Sequence, residues 1–406
     1  MANRVFVWGR NTHGQLGIPH DEETNQSCRM LPSPIDFFSD KTISIIACGG
    51  SHSIAVTEAG DVYSWGSSDH GQLGHGDERD SATPKLIKSL VLVKALQSRV
   101  MRSVVCGLRA SFAVTDTGQL YHWGAVNLSN DADNNGSGGT ECLLRPTLMT
   151  RLYQENIRQV SCVGEHTAAV AHSGKLYTWG LGKDGRLGHG DFGNRAHPEV
   201  VRTLLDEVVI AASCGNSHTA ALTDDGTLFT WGKGSDGQLG HGGRDDSHLP
   251  RVVEVLWRQG IVQVVCGFWH TLCVLGSGEL YAWGWGEGGQ LGHGARTSAL
   301  YPHKLVLPQN QKVASIAAGA YHSLCVLVNG EVLAWGTGSY GQLGVVFAEQ
   351  QPLECLSPTP LPVTVAPNST TPGRQVQALS AGWWHCMAIV GEQVKPPHLP
   401  SKVHAL

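Results

Sequence analysis

Several features that are typical of nucleic-acid-binding, membrane and disulfide-linked proteins are absent from this sequence. No cluster of Lys or Arg opens or closes the chain, and 29 basic residues against 34 acidic ones give a formal net charge of −5. Proteins that grip nucleic acid or anionic membranes usually carry a basic patch, so direct nucleic-acid binding is not expected. No apolar run approaches the roughly 18 residues that a membrane-spanning helix needs. Because residues 1–20 also lack the apolar stretch of a signal peptide, we expect a cytoplasmic or nuclear protein without membrane insertion.

Closely spaced cysteine pairs are also absent. The eleven cysteines include no C-x-x-C motif, and several stand beside small residues at one place in a repeated pattern, as in Cys48, Cys106, Cys214 and Cys266. We expect them to be reduced and buried, acting as small apolar side chains.

What the sequence does contain is glycine and a repeat. Glycine accounts for 51 of 406 residues, against a usual share of about 7%, which indicates many tight turns. A Trp-Gly pair recurs at intervals of 52 to 58 residues. The seven repeated tryptophans are Trp8, Trp65, Trp123, Trp179, Trp231, Trp283 and Trp335. A period of this length predicts a solenoid or a propeller.

One copy of the repeat predicts four antiparallel strands. The runs VVIAASCG, HTAAL and TLFTWG are separated by G-x-x-H and D-D-G turns, and a fourth strand is expected near 250–255. Four such strands form a propeller blade, and neighbouring blades cover both of its faces. In the third strand Leu228 points to one face while Phe229 and Trp231 point to the other. The repeated tryptophan is therefore predicted to pack between blades.

The two ends of the repeat region each hold half a blade. The segment VFVWG at 5–9 has the pattern of a third strand, and 376–390 supply a first and a second strand. Pairing them hides two sheet edges that would otherwise be exposed. The predicted fold is all-β, a single seven-bladed β-propeller of four-stranded antiparallel blades over residues 3–390, closed by its terminal half-blades. Residues 391–406, with several prolines, are expected to form a flexible tail.

The motif W-G-x-x-x-x-G-Q-L-G-H-G, together with C-G-x-x-H-[ST], resembles the repeat of the regulator of chromosome condensation family. Six of the seven copies keep G-[QR]-L-G, with Gln15, Gln72, Arg186, Gln238, Gln290 and Gln342 at its second position. The resemblance implies the propeller fold. Its implications for function are looser, because members include an exchange factor for the GTPase Ran, a plant UV-B receptor and propellers attached to ubiquitin ligases or kinases.

Residues that recur in most blades are best explained by blade construction. The histidines His52, His166, His218, His270, His322 and His385 share one repeat position. We expect them to be structural and to hydrogen-bond a turn, since blade-related positions are spread around a ring and do not converge on a metal. Serine and histidine otherwise co-occur only as the repeated H-[ST] pair, and no triad pattern is found. No enzymatic activity of its own, no metal and no cofactor are expected.

Residues that depart from the repeat are candidates for function. In a blade of four up-and-down strands, the loop between strands one and two lies on the same face as the loop between strands three and four. On this face the later copies carry aromatic residues that the earlier ones lack. They are Phe268, Trp269, Trp285, Tyr321, Tyr340, Trp383 and Trp384. Such a cluster is typical of a protein-binding hot spot, and the alternative is that the rings plug the mouth of the central channel.

A second departure follows Trp123, where a polar loop replaces the G-Q-L-G motif. The candidates are Asp131, Asp133, Asn134 and Asn135 in this loop, Arg109 in the preceding turn and Glu165 beside the next repeated histidine. In the Ran exchange factor a similar D-N-N-G segment and a similar acidic residue act on the GTPase, so the resemblance implies a GTPase-contact site. The alternative is a tolerated surface insertion.

Three functions follow from these features. The first is an interaction scaffold for other proteins, the second is an exchange factor for a Ran-like small GTPase, and the third is a UV-B photoreceptor. The photoreceptor resemblance requires G-W-R-H-T in consecutive late blades, whereas the copies here are GFWHT, GAYHS and GWWHC. Only Trp383 matches the tryptophan of that motif, and no arginine matches. The partner's identity and the oligomeric state stay open.

Overall fold

A computed structural model describes residues 3–18, 27–88, 100–128, 140–347, 355–366 and 374–392. Their strands form seven sheets of four antiparallel strands each, arranged as a closed ring. In chain order the strands are β1 (Arg4–Arg10), β2 (Cys28–Pro34), β3 (Ile43–Cys48), β4 (His52–Thr57), β5 (Val62–Gly66), β6 (Ser81–Leu86), β7 (Met101–Cys106), β8 (Ala110–Thr115), β9 (Leu120–Leu128), β10 (Thr140–Leu148), β11 (Ile157–Cys162), β12 (His166–Ala171), β13 (Leu176–Gly180), β14 (Arg195–Val200), β15 (Val209–Cys214), β16 (His218–Thr223), β17 (Leu228–Gly232), β18 (Ser247–Val252), β19 (Ile261–Cys266), β20 (His270–Leu275), β21 (Leu280–Gly284), β22 (Ala299–Lys304), β23 (Val313–Ala318), β24 (His322–Leu327), β25 (Val332–Thr337), β26 (Leu356–Val363), β27 (Arg374–Ala381) and β28 (His385–Glu392).

Blades 1 to 6 each consist of four consecutive strands, from β3–β6 to β23–β26, and blade 7 combines β27 and β28 with β1 and β2. Short 3-10 helices lie in several of the connections. They cover Asp36–Phe38, Thr150–Leu152, Lys183–Gly185, Arg202–Leu204, Glu254–Leu256 and Pro308–Asn310. The seven-bladed architecture predicted from the sequence is confirmed.

Ring closure occurs in blade 7 between the two ends of the propeller. Strand β1 pairs antiparallel with β28, so that Arg4 lies opposite Val390 and Gly9 opposite His385. Each terminal segment thus provides one half of a complete sheet, as expected. Strand β28 continues to Glu392, two residues past the predicted end of the propeller at 390.

The fourth strand of blade 4 begins earlier than the sequence suggested. It is Ser247–Val252, three residues before the expected 250–255. The apolar residues after Val252 belong instead to the connection to blade 5, where the 3-10 helix Glu254–Leu256 buries Leu256. The outer strand itself is only partly buried, so it lacks the apolar signal that marks the inner strands.

The core is divided into apolar clusters between adjacent blades. Leu228 packs against residues of blade 5, while Trp231 packs against residues of blade 3. The indole Nε1 of Trp231 donates a hydrogen bond to the backbone carbonyl oxygen of Arg186 in the preceding blade, at 2.9 Å. Five further copies make the same bond, from Trp8, Trp65, Trp123, Trp283 and Trp335, to the residue at the second position of G-[QR]-L-G. The predicted packing role of the tryptophans is confirmed.

The repeated histidines also join blades. Their backbone carbonyl oxygens hydrogen-bond the G-x-x-H turn, as from the Gly215 N–H to His218 at 2.8 Å, whereas their imidazoles contact the next blade and not a turn. The Nε2 atom of His218 lies 3.0 Å from the hydroxyl oxygen of Thr271 in the next blade. That hydroxyl donates its own proton to the backbone carbonyl oxygen of Gln238, at 2.9 Å. Because the hydroxyl proton is used, the histidine Nε2 must be the donor. The pairs His52–Ser111, His166–Thr219, His270–Ser323 and His385–Ser53 repeat the contact, and His322 reaches Cys386 Sγ.

These buried pairs have a structural rather than a nucleophilic role. Burial lowers the pKa of His218 to about 3 and keeps the ring neutral at physiological pH. Its Nδ1 atom is buried and makes no hydrogen bond with any residue that the structure describes. A catalytic dyad would need an accessible hydroxyl and a group orienting the imidazole.

The repeated cysteines are buried, as expected. Cys48, Cys106, Cys214 and Cys266 are all buried free thiols. Burial raises the pKa of Cys48 and that of Cys266 to about 12. These thiols therefore remain protonated and pack as small apolar side chains between the blades.

Candidate functional site

One face of the ring carries the loops between strands one and two and between strands three and four of each blade; we call it the rim face. Backbone hydrogen bonds hold the two loops of a blade side by side. The Trp285 nitrogen donates to the Trp269 carbonyl oxygen at 2.8 Å, and Arg10 makes the same bond to Trp384. The predicted common face for the two loop types is thereby present in the structure.

The seven aromatic residues predicted on this face form one continuous cluster, which we call the aromatic sector. The Trp269 ring lies 5.8 Å from Trp285 and 5.4 Å from Tyr321, both in steep edge contacts. Tyr321 stacks on Trp384 with ring centroids 5.0 Å apart, and Trp384 contacts Tyr340 at 5.3 Å. Each of these five side chains is partly exposed. The sector therefore presents connected aromatic surface to solvent across blades 5, 6 and 7.

The other two rings, Phe268 and Trp383, pack across the mouth of the central channel. Their centroids are 4.4 Å apart and their planes are perpendicular. They belong to blades 5 and 7, and the corresponding residue of blade 6 is the small, buried Ala320. Phe268 is itself only 6% exposed. For these two rings the geometry fits the alternative of plugging the channel. Phe268 also contacts the rings of Trp269 and Tyr321.

Arg10 is a member of the site that the sequence did not single out. Its guanidinium carbon lies 5.0 Å from the centroid of the Tyr340 ring, within the range of a cation–π contact. The repeat gave little signal for it: Arg10 directly follows a Trp-Gly pair, where blades 1 and 6 have Ser67 and Thr337 but blade 4 also has a basic residue, Lys233. The edge of the aromatic sector at blade 7 is thus basic.

The predicted GTPase-contact residues are only partly within the described structure. Arg109 and Glu165 are exposed on the rim face of blades 2 and 3, at the repeat position that Trp269 takes in blade 5. Burial, and secondly the Arg109 charge, lower the pKa of nearby His70. The remaining candidates, Asp131, Asp133, Asn134 and Asn135, lie outside the described residues. The structure therefore places one basic and one acidic candidate on the same face, away from the aromatic sector.

The described part of the chain contains no group of three or more His, Cys, Asp or Glu side chains arranged to hold a metal ion. No helix in it is long and apolar enough to cross a membrane.

Comparison with known families agrees with the fold and the repeat. The model for the RCC1-like domain matches residues 128–394, and the regulator of chromosome condensation (RCC1) repeat matches residues 3–56 and 59–114. The chain belongs to the RCC1 family. The RCC1 assignment covers both halves of the ring and accounts for the Trp-Gly period.

Similar proteins within the RCC1 family have diverse names. The Ultraviolet-B receptor UVR8 of Arabidopsis thaliana is 36% identical over 342 residues, which cover 84% of this chain and 74% of that protein. The human E3 ubiquitin-protein ligase HERC2 is 36% identical over 348 residues, 85% of this chain but 7% of the ligase. This chain therefore spans a small part of the ligase relatives. A mitochondrial RCC1 domain-containing protein of Arabidopsis thaliana, RUG3, is 32% identical over 372 residues, 84% of this chain and 79% of that protein.

Solved structures show the same propeller. Human WBSCR16 superposes with a TM-score of 0.81 at 22% sequence identity, covering 97% of this chain and all of that chain. Prp20p of Saccharomyces cerevisiae also gives a TM-score of 0.81 at 22% identity, covering 97% of this chain and 92% of its own. At this identity the likeness shows the fold alone.

Proposed function

We propose that this RCC1-family propeller is a protein-interaction scaffold that binds partners through the aromatic sector of its rim face. The observation that carries the proposal is the connected cluster of partly exposed rings on blades 5 to 7. Blades 1 and 4 have Ser51 and Ser217 where blades 5 and 7 have Trp269 and Trp384, so blade construction does not require the rings. Rigid aromatic side chains bury much apolar surface at little entropic cost, which suits a hot spot.

The test is removal of two partly exposed indoles, one on blade 5 and one on blade 7. In the full chain, Trp269→Ala with Trp384→Ala should abolish partner capture, measured by affinity purification and mass spectrometry, because hot-spot truncations each cost about 2 kcal/mol or more. The matched control is Trp257→Ala, since Trp257 is 49% exposed and lies in a connection between blades, at the end of blade 4 opposite the rim face. If the double variant keeps both its melting temperature and the wild-type set of partners, the aromatic sector is not the binding surface.

Nucleotide exchange on a Ran-like GTPase is the second candidate. It is favoured by the exposure of Arg109 and Glu165 on adjacent blades of the rim face, where charged groups on a rigid support can disturb bound nucleotide and Mg²⁺. Among the structural neighbours, Prp20p is described together with its binding to Gsp1p and histones. On this hypothesis the chain acts in the cytoplasm or nucleus, although its relative RUG3 is named as mitochondrial.

Exchange is tested by release of a fluorescent guanine nucleotide from a purified Ran-like GTPase. The full chain should accelerate release, and Glu165→Ala combined with Asp133→Ala should lose most of the acceleration, while Trp257→Ala keeps it. No acceleration by the unmodified chain at micromolar concentration would eliminate this candidate. The photoreceptor alternative ranks third, because similarity to UVR8 does not extend to the G-W-R-H-T motif.

A further inference from the structure

A cleft of about 450 Å³ opens between blades 3 and 4, separate from the aromatic sector. Leu181 and the ring of Phe192 give it apolar walls, and Lys183, Asp184 and Asp246 supply charged groups. Phe192 is 57% exposed, so one face of its ring is open to a ligand. Gly193, which also lines the cleft, packs closely on Gly182, where a Cβ atom would collide with the carbonyl group of Gly193.

In blades 4 and 5 an arginine side chain lies beside the loop that follows the Trp-Gly pair. Phe192 occupies the repeat position of Arg244 in blade 4 and of Arg296 in blade 5. Arg244 Nη1 donates to the carbonyl oxygen of Ser235 at 2.7 Å, and Arg296 Nε donates to that of Glu287 at 3.0 Å. In both blades an arginine of the same chain therefore lies against the loop that follows the Trp-Gly pair.

Blade 3 has no arginine at this repeat position. The Phe192 ring instead packs against His248 of the next blade, with centroids 5.7 Å apart. The residue of blade 3 that corresponds to Ser235 and Glu287 is Lys183, whose carbonyl oxygen accepts a hydrogen bond from Arg186 Nε at 2.8 Å. A carbonyl oxygen has two lone pairs, so it can accept a second donor.

We propose that this cleft binds an arginine side chain of a partner protein, in the place that Arg244 and Arg296 take in their own blades. The apolar stem of the arginine packs against Leu181 and Phe192, as such stems commonly do on apolar walls. Its guanidinium donates to the Asp246 carboxylate, which already accepts the Gly234 backbone N–H at 2.8 Å through one oxygen and has further lone pairs. Asp184 is held by Arg186 at 2.7 Å and contributes little additional charge.

The guanidinium is the part of the ligand that selects arginine over other long side chains. Its planar array of donors can bond a carboxylate and a carbonyl oxygen at once, whereas a lysine ammonium is a point charge. Citrulline has nearly the same shape as arginine but no charge. Comparing the two therefore distinguishes recognition of the charge from recognition of the shape. Lys183, the cation among the lining residues, opposes the bound charge, and Lys183→Ser is expected to strengthen binding.

The experiment uses the full chain and N-acetyl-arginine methylamide as the probe. Methyl NMR of Leu181 should show a saturable shift with the arginine probe and a response at least about tenfold weaker with the citrulline analogue. Phe192→Arg restores the side chain found in blades 4 and 5, so it should fold normally and abolish the shift. The matched control is Trp257→Arg, which adds an arginine at an exposed position outside the cleft and should leave the Leu181 shift intact.

Any of three results would overturn the proposal: no saturable Leu181 shift at millimolar arginine probe, an equal shift in the folded Phe192→Arg variant, or an equal response to the citrulline analogue. The result is independent of the proposed scaffold function, because Trp269→Ala with Trp384→Ala should lose partner capture and keep the Leu181 response. If the citrulline analogue shifts Leu181 as strongly as the arginine probe does, the guanidinium charge plays no role in binding.

Discussion

At the scale of single residues, a repeated set of tryptophan, histidine and hydroxyl side chains joins each pair of blades in which it occurs. The carbonyl oxygen of Gln238 accepts two hydrogen bonds from blade 5, one from the Trp283 indole and one from the Thr271 hydroxyl. The same hydroxyl accepts the Nε2 proton of His218 from blade 4. Buried polar groups are costly unless they are paired, so these bonds fix how one blade sits on the next.

The neutral state of the repeated histidines predicts a pH dependence of stability. The pKa of His218 is lowered from 6.5 to about 3, chiefly by burial, so below pH 6.5 the unfolded chain binds a proton that the folded one does not. The free energy of unfolding is therefore at its full value above pH 6.5. It decreases as the pH falls toward 3, by about 1.4 kcal/mol per pH unit for each such histidine. His218→Ala should lower the free energy of unfolding at pH 7.5 by about 2 kcal/mol. It should also reduce the slope of the unfolding free energy against pH, between pH 6 and pH 4, by the contribution of one histidine, about 1.4 kcal/mol per pH unit.

Urea unfolding at several pH values measures both effects. His197 is exposed, so His197→Ala is the matched control and should change neither the stability at pH 7.5 nor the slope. A wild-type slope in the His218→Ala chain would mean that this imidazole is protonated in the folded protein, contrary to its neutral role between blades.

At the scale of strands and blades, the position and packing of the inner, apolar strands could be predicted from the sequence. The third strand, TLFTWG in blade 4, is apolar on both faces and ends at a fixed motif, so its place and its packing followed directly. The fourth strand, Ser247–Val252, was misplaced by three residues because an outer, half-exposed strand has no such pattern. The bond from His218 to Thr271 joins positions 53 residues apart, and no spacing within one repeat reveals it.

Blade comparison also explains how much of the candidate site could be predicted. Trp269 and Trp384 were recognisable because they break a repeat that has Ser217 or Ser51 at the same position. The contact of Phe268 with Trp383 across the channel was not, because it depends on the diameter of the ring. In blade 2, Ala110 takes the place of the repeated histidine, so the junction with blade 3 lacks a histidine–hydroxyl bond at that position. The exposed Arg109 and Glu165 flank this junction.

At the scale of the whole molecule, closure of the ring in blade 7 joins the two ends of the propeller. Strand β28 places Met387 and Ile389 in the cluster shared with blade 1, and Ala388 and Val390 in the cluster shared with blade 6. Removing β27 and β28 would therefore open two of the apolar clusters at once. It would also leave the backbone edge of β1 without its partner, a template for association with other chains.

We therefore predict that deletion of 376–390 abolishes cooperative folding and produces aggregates, because apolar surface from two blade contacts and a free strand edge are exposed together. Size-exclusion chromatography and thermal unfolding followed by circular dichroism measure the outcome. The matched control ends the chain after residue 392, which keeps every strand of blade 7 and should melt within a few degrees of the full chain. A monomeric deletion variant with an unchanged melting temperature would show that six blades are stable without closure, and that the pairing of β1 with β28 adds little to the stability of the ring.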